Sequence, residues 1–560
     1  MDPSLGPPYS MKVWLLLLPL LAAGGGEKDF LACETCKGTI EAARLYLQAK
    51  TKDLDALYDL LAELCGAELK AVCQGAIKEM GPVAVTATID KYLEPTFLCG
   101  VMGKCSYNTK ADNLTAWATN LLATKPNTAV PKANPAGGAS FVHVTDLHFD
   151  LEYKVGAATD CGLPLCCRAA YSGSGSAGLY GDYNCDIPYT TLESAVQAMA
   201  VLKPDFVLWT GDNPPHNVWN QSQSYQLEYL TNSSALMSAY FKPGVVPVYP
   251  TLGNHGCFPV NIYQFGNEAW LTDPVAKLWY PWLNAQAEST IKAFGGYSVL
   301  HPGTNLRIIG LNTQACNNLN FWFITNVTDP GNQVEWLESQ LAAAESAGEQ
   351  VYIIGHIPIG DFDCLSQWGY RYKALMDRYQ YTVRGEFFGH THNDHIKVNR
   401  GFFSGEPISV QWIAPSLTTY TGLNPSFRLY EADPTTWFPV NYHQYRLNIT
   451  QANLNLTAPQ WYEAYDFLSE YSVTDMSVAT VYAWARSLLT NQGQMLVFLD
   501  NFASGGPAAQ KECDLVCRAN EVCDLTNGVP QDIWTCQEAD PDALNFFLQL
   551  LYGQWVYPSL

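Results

Sequence analysis

The sequence predicts an α/β protein with a cysteine-rich helical segment before the sheet and a helical region after it. Five apolar runs rich in β-formers lie between residues 141 and 388, and each is followed by a block of metal-binding side chains. Six cysteines lie among helix-like stretches between residues 33 and 105, and four more follow residue 444. With 560 residues, 48% hydrophobic and 15% charged, the chain is typical of a globular protein with several domains.

Residues 1–26 have the pattern of a secretory signal, because Met11 and Lys12 precede an apolar run, Val13 to Ala23, that ends in small residues. No later run reaches the 18 or so apolar residues that a membrane span needs. Seventeen cysteines and six N-x-S/T acceptors fit an oxidising compartment. The acceptors are Asn113, Asn220, Asn232, Asn326, Asn448 and Asn455. We expect a monomeric glycoprotein that is lysosomal, secreted or both.

The formal net charge of −22 argues against nucleic acid as a partner. A phosphate-binding surface needs clusters of basic residues, and the sequence contains none. In an acidified lumen the carboxylates become partly protonated, which reduces their mutual repulsion. The charge is therefore compatible with a lysosome or an acidic extracellular space.

Residues 29–106 form the first predicted domain, with helix-like segments such as Ile40 to Gln48 and Leu54 to Leu64. Its six cysteines allow fifteen disulfide connectivities, so the pairing stays open at this point. Residues 107–139 are a proline-rich linker with one short expected helix, Leu114 to Ala123.

The central domain, residues 140–443, is expected to gather its polar blocks in one crevice. Its apolar runs are Phe141 to Val144, Phe206 to Trp209, Val245 to Tyr249, Val351 to Ile354 and Glu386 to Phe388. The blocks that follow them are Asp146-Leu147-His148, Gly211-Asp212-Asn213, Gly253-Asn254-His255, Gly355-His356 and Gly389-His390-Thr391-His392. Loops at the carboxyl ends of such strands converge. Carboxylate, amide and imidazole ligands suit a pair of zinc, iron or manganese ions, with Asp212 as the bridging ligand.

Residues 444–560 form the last predicted domain. Helical signals span Trp461 to Tyr471 and Val478 to Leu489, and the domain contains Cys513, Cys517, Cys523 and Cys536. We expect a helical region stabilised by disulfides.

The order of the five blocks resembles the calcineurin-like metallophosphoesterases. This resemblance implies a β-sandwich flanked by helices, with two metal ions in the crevice. One ion would be held by Asp146, His148, Asp212 and His392. The other would be held by Asp212, Asn254, His356 and His390.

Longer stretches resemble the acid sphingomyelinase family. They are Thr145 to Asp150, Leu163 to Arg168, Trp209 to Asp212 with His216, Ile354 to Pro358, and Thr418 to Pro425. The resemblance implies a zinc-dependent phosphodiesterase that splits sphingomyelin into ceramide and phosphocholine by attack of a metal-bound hydroxide on phosphorus. Purple acid phosphatases place an iron-binding tyrosine three residues after the bridging aspartate. Pro215 occupies that position here, which favours two Zn²⁺ ions.

The same resemblance makes residues 29–106 a saposin B-type domain that presents membrane sphingomyelin to the enzyme. It also implies a disulfide pattern that leaves Cys257 free for packing, metal binding or redox chemistry. The implied pairs are Cys33–Cys105, Cys36–Cys99, Cys65–Cys73, Cys161–Cys166, Cys167–Cys185, Cys316–Cys364, Cys513–Cys517 and Cys523–Cys536. The alternative for residues 29–106 is a helical bundle that only braces the enzyme.

The metal assignment leaves His216 and His255 free, so either is a candidate general acid for the alkoxide leaving group. By resemblance, Asn261 and Tyr420 contact the phosphocholine group. The sequence departs from the family pattern at Gly256, where a glutamate is usual, and at Leu319, where the family can place a carboxylate. Choline selectivity is therefore open.

Two other functions stay open from the sequence. A sphingomyelinase-like phosphodiesterase acting on nucleotides or other small phosphodiesters would use the same metal ligands. A catalytically silent lipid-transfer protein would not need the complete ligand set that the sequence contains.

Overall fold

The structure is a computed structural model that describes residues 30–50, 69–101, 114–127, 130–134, 137–323, 326–454 and 459–537. The predicted signal and the expected helix from Leu54 to Leu64 lie outside the described residues. The described residues belong to two compact units, one with residues 30–50 and 80–101 and the other with residues 69–79 and 114–537.

The smaller unit is helical. It contains the helix Phe30–Lys50, the second half of the helix Lys70–Ala87, a π-helical turn Thr88–Tyr92 and the helix Pro95–Val101. A disulfide joins Cys36 to Cys99, and both cysteines are buried together with Ile40. Cys33 and Cys73 are also disulfide-bonded, but their expected partners Cys105 and Cys65 lie outside the described residues.

The larger unit contains two six-stranded sheets. The strands of this unit are β1 Ala139–Val144, β2 Phe149–Asp150, β3 Ile187–Pro188, β4 Phe206–Trp209, β5 Val248–Pro250, β6 Tyr297–Leu300, β7 Leu306–Gly310, β8 Gln350–Ile354, β9 Val383–Phe388, β10 His395–Arg400, β11 Pro407–Ile413, β12 Ser426–Ala432, β13 Pro439–Leu447 and β14 Trp461–Asp466. The first six-stranded sheet has the order β14-β13-β12-β1-β4-β5 and the second the order β10-β11-β9-β8-β7-β6.

The two sheets pack face to face, which confirms the β-sandwich that the resemblance implies. The Phe141 ring on β1 lies 5.3 Å from Phe387 on β9 and 5.4 Å from Tyr352 on β8. Strands β1, β4 and β5 run parallel, as do β7, β8 and β9. Their carboxyl ends therefore bring the polar blocks to one edge of the sandwich.

Helices cover both outer faces of the sandwich. Tyr189–Val201, Gln223–Tyr240 and Ala269–Phe294 pack in the same core cluster as β1, β4 and β5. Gln333–Ala347 and Ser366–Tyr379 bury apolar side chains against β7, β8 and β9. The expected linker helix is present as Leu114–Leu122, and its Ala118 and Leu121 join this second cluster.

The helix predicted from Trp461 to Tyr471 is wrong over its first six residues, which form β14. This segment is rich in aromatic β-formers and pairs antiparallel with β13, with Leu447 opposite Trp461. The expected domain boundary at residue 443 falls inside β13. Regular helices follow at Phe467–Glu470, Val478–Ser487, Gln492–Phe502, Leu515–Leu525 and Pro530–Gln537, after a short helix at Ile449–Leu454.

Among the described residues 137–537, five further disulfides form, and each joins cysteines that the resemblance pairs. They are Cys161–Cys166, Cys167–Cys185, Cys316–Cys364, Cys513–Cys517 and Cys523–Cys536. Of the acceptor asparagines in the described ranges, Asn220 and Asn326 are exposed, and Asn232 and Asn448 are partly exposed. Within the described residues, no helix combines the length and apolar character that crossing a membrane requires.

Segment 69–79 packs against the loop before the helix Gln223–Tyr240. Val72 lies against a cluster that includes Trp219, and a Cβ built on Gly75 would lie only 2.0 Å from the Trp219 carbonyl oxygen. The Gln221 backbone N–H donates to Glu79 Oε1 at 2.8 Å. The first half of the Lys70–Ala87 helix therefore approaches the backbone at Trp219 as closely as glycine allows.

Protonation of Glu79 should stabilise the packing of segment 69–79, because it removes a partly buried charge. Burial raises the pKa of Glu79 from 4.5 to about 7, although the Gln221 N–H opposes the shift. Because the folded pKa exceeds the unfolded value, the stabilisation is complete below pH 4.5 and is lost as the pH rises through about 7.

Hydrogen exchange of residues 69–79, corrected for intrinsic rates, should be slower at pH 5 than at pH 7.5. Glu79→Gln should abolish this difference, whereas Glu228→Gln, at an exposed position, should preserve it. An unchanged difference in Glu79→Gln would contradict this role.

Candidate metal centre

All seven predicted metal ligands come together at the carboxyl ends of five strands. Asp146 and His148 follow β1, Asp212 follows β4, Asn254 follows β5, His356 follows β8, and His390 and His392 follow β9. Their donor atoms form two adjacent groups that share Asp212. We call them the first ligand group (Asp146, His148, Asp212 and His392) and the second ligand group (Asp212, Asn254, His356 and His390).

The first ligand group converges on a small space around His148. Its Nε2 lies 3.6 Å from Asp146 Oδ1, 3.6 Å from Asp212 Oδ2 and 3.2 Å from His392 Nε2. The His392 nitrogen in turn lies 3.5 Å from Asp146 Oδ1. Two imidazole nitrogens and two carboxylate oxygens thus point at one another.

The second ligand group converges in the same way around His356. Its Nε2 lies 3.0 Å from Asp212 Oδ2 and 2.9 Å from Asn254 Oδ1. His390 Nδ1 lies 3.0 Å from the same Asn254 oxygen. Asp212 Oδ2 therefore stands between the two groups, as a bridging carboxylate must.

Three of these ligands are oriented by a hydrogen bond on the side away from the other ligands. His148 Nδ1 donates to the Pro214 carbonyl and His356 Nδ1 to the Thr210 carbonyl, both at 2.7 Å. These bonds fix the tautomer and leave the Nε2 lone pairs facing inward. Asn254 Nδ2 donates to Asn261 Oδ1 at 2.9 Å, which turns the Asn254 oxygen toward the histidines.

The buried carboxylates require a cation. Asp146 Oδ2 accepts from Thr145 Oγ1 and from the His390 N–H, but Asp146 Oδ1 is buried and has no hydrogen-bond partner within the described part of the chain. Burial alone would raise the pKa of Asp146, yet the neighbouring histidines lower it well below its usual value. An ionised, unpartnered oxygen at this depth is costly unless a metal ion binds it. The oxygen and imidazole donors therefore fit divalent metal ions.

The ligand loops have unusual backbone conformations. Five of the seven ligands have positive φ angles: Asp146 50°, His148 34°, Asp212 52°, His390 74° and His392 63°. Non-glycine residues rarely adopt this region, and such outliers cluster at functional sites. The glycines of the blocks allow close approach, since a Cβ on Gly253 would lie 1.9 Å from Asp212 Oδ1 and one on Gly389 would lie 1.9 Å from Thr145 Oγ1.

His216, one of the two candidate acids, lies over the first ligand group. Its ring centroid is 4.1 Å from that of His148. His216 Nδ1 lies 2.8 Å from Asp186 Oδ1, and the His216 N–H donates to Asp186 Oδ2 at 2.7 Å. Burial would raise the pKa of Asp186, but His216 lowers it to about 2. An ionised carboxylate therefore holds this imidazole in place.

His255, the other candidate, has a different environment. Its ring centroid lies 4.8 Å from both His148 and His216. Its backbone N–H donates to Asp212 Oδ1 at 2.9 Å, while its buried Nδ1 has no hydrogen-bond partner in the described ranges. Burial lowers the pKa of His255 well below its usual value. The His255 ring is therefore neutral.

The two predicted substrate contacts flank the centre. The Asn261 oxygen accepts from Asn254 and, at 3.1 Å, from Asn317 Nδ2, so Asn261 also orients a metal ligand. The Tyr420 ring stacks on His216 at 4.5 Å and borders an open cavity of about 680 Å³. Leu163, Pro164, Tyr183, Asn184 and Thr421 also line this cavity.

Of the two departures from the family pattern, only Gly256 shares an element with a ligand. Gly256 ends the short 3₁₀ turn Asn254–Gly256, and Leu319 is 47% exposed. Among the described cysteines only Cys257 is free, and burial raises the pKa of its thiol well above the usual value. A protonated, buried thiol favours packing over metal binding or redox chemistry.

Two acidic residues of the site were missed by sequence reasoning. Asp186 follows a disulfide-bonded cysteine, and Asp363 precedes another. Neither belongs to a glycine-containing block, and neither follows an apolar run, so the sequence carried no signal for their partners. Only the fold brings Asp186 to His216 and Asp363 to His390, 3.0 Å from its Nε2.

Comparison with known proteins gives two family matches and a set of relatives. Residues 139–394 match the calcineurin-like phosphoesterase model, and residues 406–536 match the acid sphingomyelin phosphodiesterase C-terminal region. The chain is 35% identical to sphingomyelin phosphodiesterase from Bos taurus, over 92% of this chain and 84% of the relative. The Homo sapiens protein of that name is 35% identical over 91% and 84%. A cyclic GMP-AMP phosphodiesterase from Homo sapiens is 32% identical over 74% and 93%.

Gly253→Ala should damage the metal centre without adding any polar or charged group. The new Cβ would meet Asp212 Oδ1 at 1.9 Å, so the bridging carboxylate must move. We expect metal affinity to fall roughly 10–100-fold, the usual cost of disturbing a ligand's support. Gly256→Ala is the matched control, because its Cβ would have no atom within 4 Å. Chelator titration of both variants measures the effect, and equal affinity in the two would contradict the close-approach argument.

Proposed function

The chain belongs to the sphingomyelin phosphodiesterase family of calcineurin-like phosphoesterases, and from that membership we propose that it hydrolyses sphingomyelin to ceramide and phosphocholine with two zinc ions. The observation that carries the proposal is the complete set of convergent ligands in a chain aligned over 92% of its length with a sphingomyelin phosphodiesterase. The cyclic GMP-AMP phosphodiesterase aligns over 74%, which makes small phosphodiesters the second choice.

Zinc is supported by the donor set and by residue 215. Each ligand group offers carboxylate, amide or imidazole atoms in numbers that suit four- or five-coordinate zinc. Pro215 stands where the iron-binding phosphatases have a tyrosine. Two zinc ions bound there would supply a nucleophile, by lowering the pKa of bound water toward about 7, and would neutralise charge on the phosphoryl oxygens.

His216 is the better candidate for protonating the leaving alkoxide. Asp186 accepts its Nδ1–H, so the protonated ring presents Nε2–H toward the site. Asp186 is itself fixed, because it follows Cys185 of the disulfide to Cys167 and accepts from Thr418 Oγ1 at 2.8 Å. The candidate acid and the metal ligands are thus held by separate parts of the fold.

His255 is assigned a supporting role. Its neutral ring can donate one N–H to a phosphoryl oxygen, and its backbone N–H holds the bridging carboxylate. It lacks the carboxylate partner that would keep it protonated. Removing either histidine should slow catalysis, but only His216 should show dependence on the leaving group.

We assign contact with the lipid to the N-terminal helical segment, which the resemblance makes saposin-like. Leu45 and Tyr46, on the helix Phe30–Lys50, are 55% and 60% exposed, and exposed apolar side chains of this kind support contact with a lipid. We propose that the saposin-like segment makes peripheral contact with the membrane, in a lysosome or outside the cell. The disulfides support an oxidising compartment of this kind.

The general-acid assignment predicts a leaving-group effect. His216→Ala should lower turnover of sphingomyelin roughly 10²–10⁴-fold, and much less for a phosphodiester whose leaving group needs no proton. Asp186→Asn should lose activity with the same leaving-group pattern. His443→Ala, on β13, is the control and should be unaffected. Equal losses on both substrates, or loss of bound metal in His216→Ala, would contradict the assignment.

The substrate proposal is tested with three substrates side by side: sphingomyelin liposomes, ATP and a soluble chromogenic phosphodiester. Sphingomyelin should be the best substrate, and a chelator should abolish all activity until zinc is restored.

The double variant Leu45→Ser with Tyr46→Ser should lose hydrolysis of sphingomyelin in liposomes, keep activity on the soluble phosphodiester and regain sphingomyelin turnover in detergent. Val201→Ser, at a position 71% exposed, is the control for an exposed apolar residue. If the double variant lost hydrolysis of both liposomes and the soluble substrate, the saposin-like segment would have a structural role only. If the wild-type protein turned over ATP faster than sphingomyelin, a phosphodiesterase for small phosphodiesters would be favoured.

A further inference from the structure

We propose that Asp363 is a positioning residue that fixes His390 as a metal ligand and makes the second ligand group bind its metal more tightly. The inference rests on the proposed two-metal function and extends it to a residue outside the seven ligands. It concerns the His390 ring nitrogen that points away from the other ligands. The partner of this nitrogen does not come from the glycine-containing blocks.

The geometry assigns the two nitrogens of His390 to different tasks. Nε2 lies 3.0 Å from Asp363 Oδ2, and Nδ1 lies 3.0 Å from the ligand oxygen of Asn254. A neutral imidazole has one N–H and one lone pair. With the N–H donated to Asp363, the Nδ1 lone pair faces the second ligand group. Asp363 thereby selects the tautomer that can bind metal.

The other oriented histidines lack such a partner. His148 and His356 donate their far N–H to backbone carbonyls, which are neutral. A carboxylate partner makes a histidine a more basic ligand than a carbonyl does, and the loss of such a partner typically costs 10–100-fold in metal affinity. The second ligand group therefore carries a negative charge behind one of its ligands, in addition to its shared Asp212.

Asp363 is held independently of the metal. Its backbone N–H donates to Asp361 Oδ1 at 2.9 Å, and its carbonyl accepts from the Asn318 N–H at 2.8 Å. The next residue, Cys364, is tied by a disulfide to Cys316. The loop thus presents the carboxylate at a fixed place, while its side chain is 42% exposed, so a substitution opens no core cavity.

Asp361 provides a matched control. It is an acidic residue of the same loop, but its Oδ1 lies 3.9 Å from His390 Nε2, beyond hydrogen-bond distance. If negative charge in general were the cause, substitution of either aspartate would weaken zinc binding to a similar extent. A specific hydrogen bond would make only Asp363 important.

The experiment is zinc competition with a chromogenic chelator on the full chain, stripped of metal and reloaded. The wild-type protein and Asp361→Asn should bind two zinc ions alike, because asparagine keeps the Oδ1 that accepts the Asp363 N–H. Asp363→Ala should weaken one of the two by about 10–100-fold, and zinc-edge anomalous diffraction should place the loss at the second ligand group. Asp363→Asn keeps the side-chain shape and a hydrogen-bond acceptor, so the affinity for the same zinc ion should fall by a smaller factor. This variant provides the test if Asp363→Ala does not fold.

The outcomes separate this inference from the proposed function. Two zinc ions of wild-type affinity in both Asp363 variants would overturn the positioning role and leave the proposed function intact. An equal loss in Asp361→Asn would also overturn it, because the effect would then be general charge. A wild-type chain that binds fewer than two zinc ions would contradict the proposed function itself.

Discussion

The site depends on two carboxylates, Asp146 and Asp212, that are buried beneath a layer of imidazole rings. Desolvating two like charges this close together is unfavourable, and the histidines offset it only partly because their lone pairs point at the same space. Divalent cations between the groups satisfy both the carboxylates and the lone pairs. The strand ends, the strained ligand loops and the close glycines all serve to hold these atoms together, so the fold and the metal requirement are one constraint.

Two carboxylate and histidine pairs lie beside the metal centre. On one side, a disulfide-bound loop presents Asp186 to His216, where a proton is needed. On the other, a second disulfide-bound loop presents Asp363 to His390, where a fixed ligand is needed. In the proposed function the two carboxylate and histidine pairs have different tasks, because one imidazole would face the reacting atoms and the other would face a metal. The cavity that Tyr420 borders adjoins the first pair, because the Tyr420 ring stacks on His216.

Much of this centre could be predicted from the sequence, because strand ends and metal ligands leave local signals. Asp146, Asp212 and Asn254 each follow an apolar run, and their convergence follows from parallel strands. The segment from Trp461 was misread as helix because aromatic residues fit either element, and pairing with β13 decided the outcome. Asp186 and Asp363 could not be predicted, since their partners lie 30 and 27 residues away and only the tertiary structure joins them.

The most direct test of the central claim is anomalous diffraction from crystals of the purified protein, measured on both sides of the zinc absorption edge. The account predicts two zinc peaks about 3.5–4 Å apart, one within each ligand group, with Asp212 between them. A single peak, a signal at the iron edge, or metal bound away from Asp212 would contradict it.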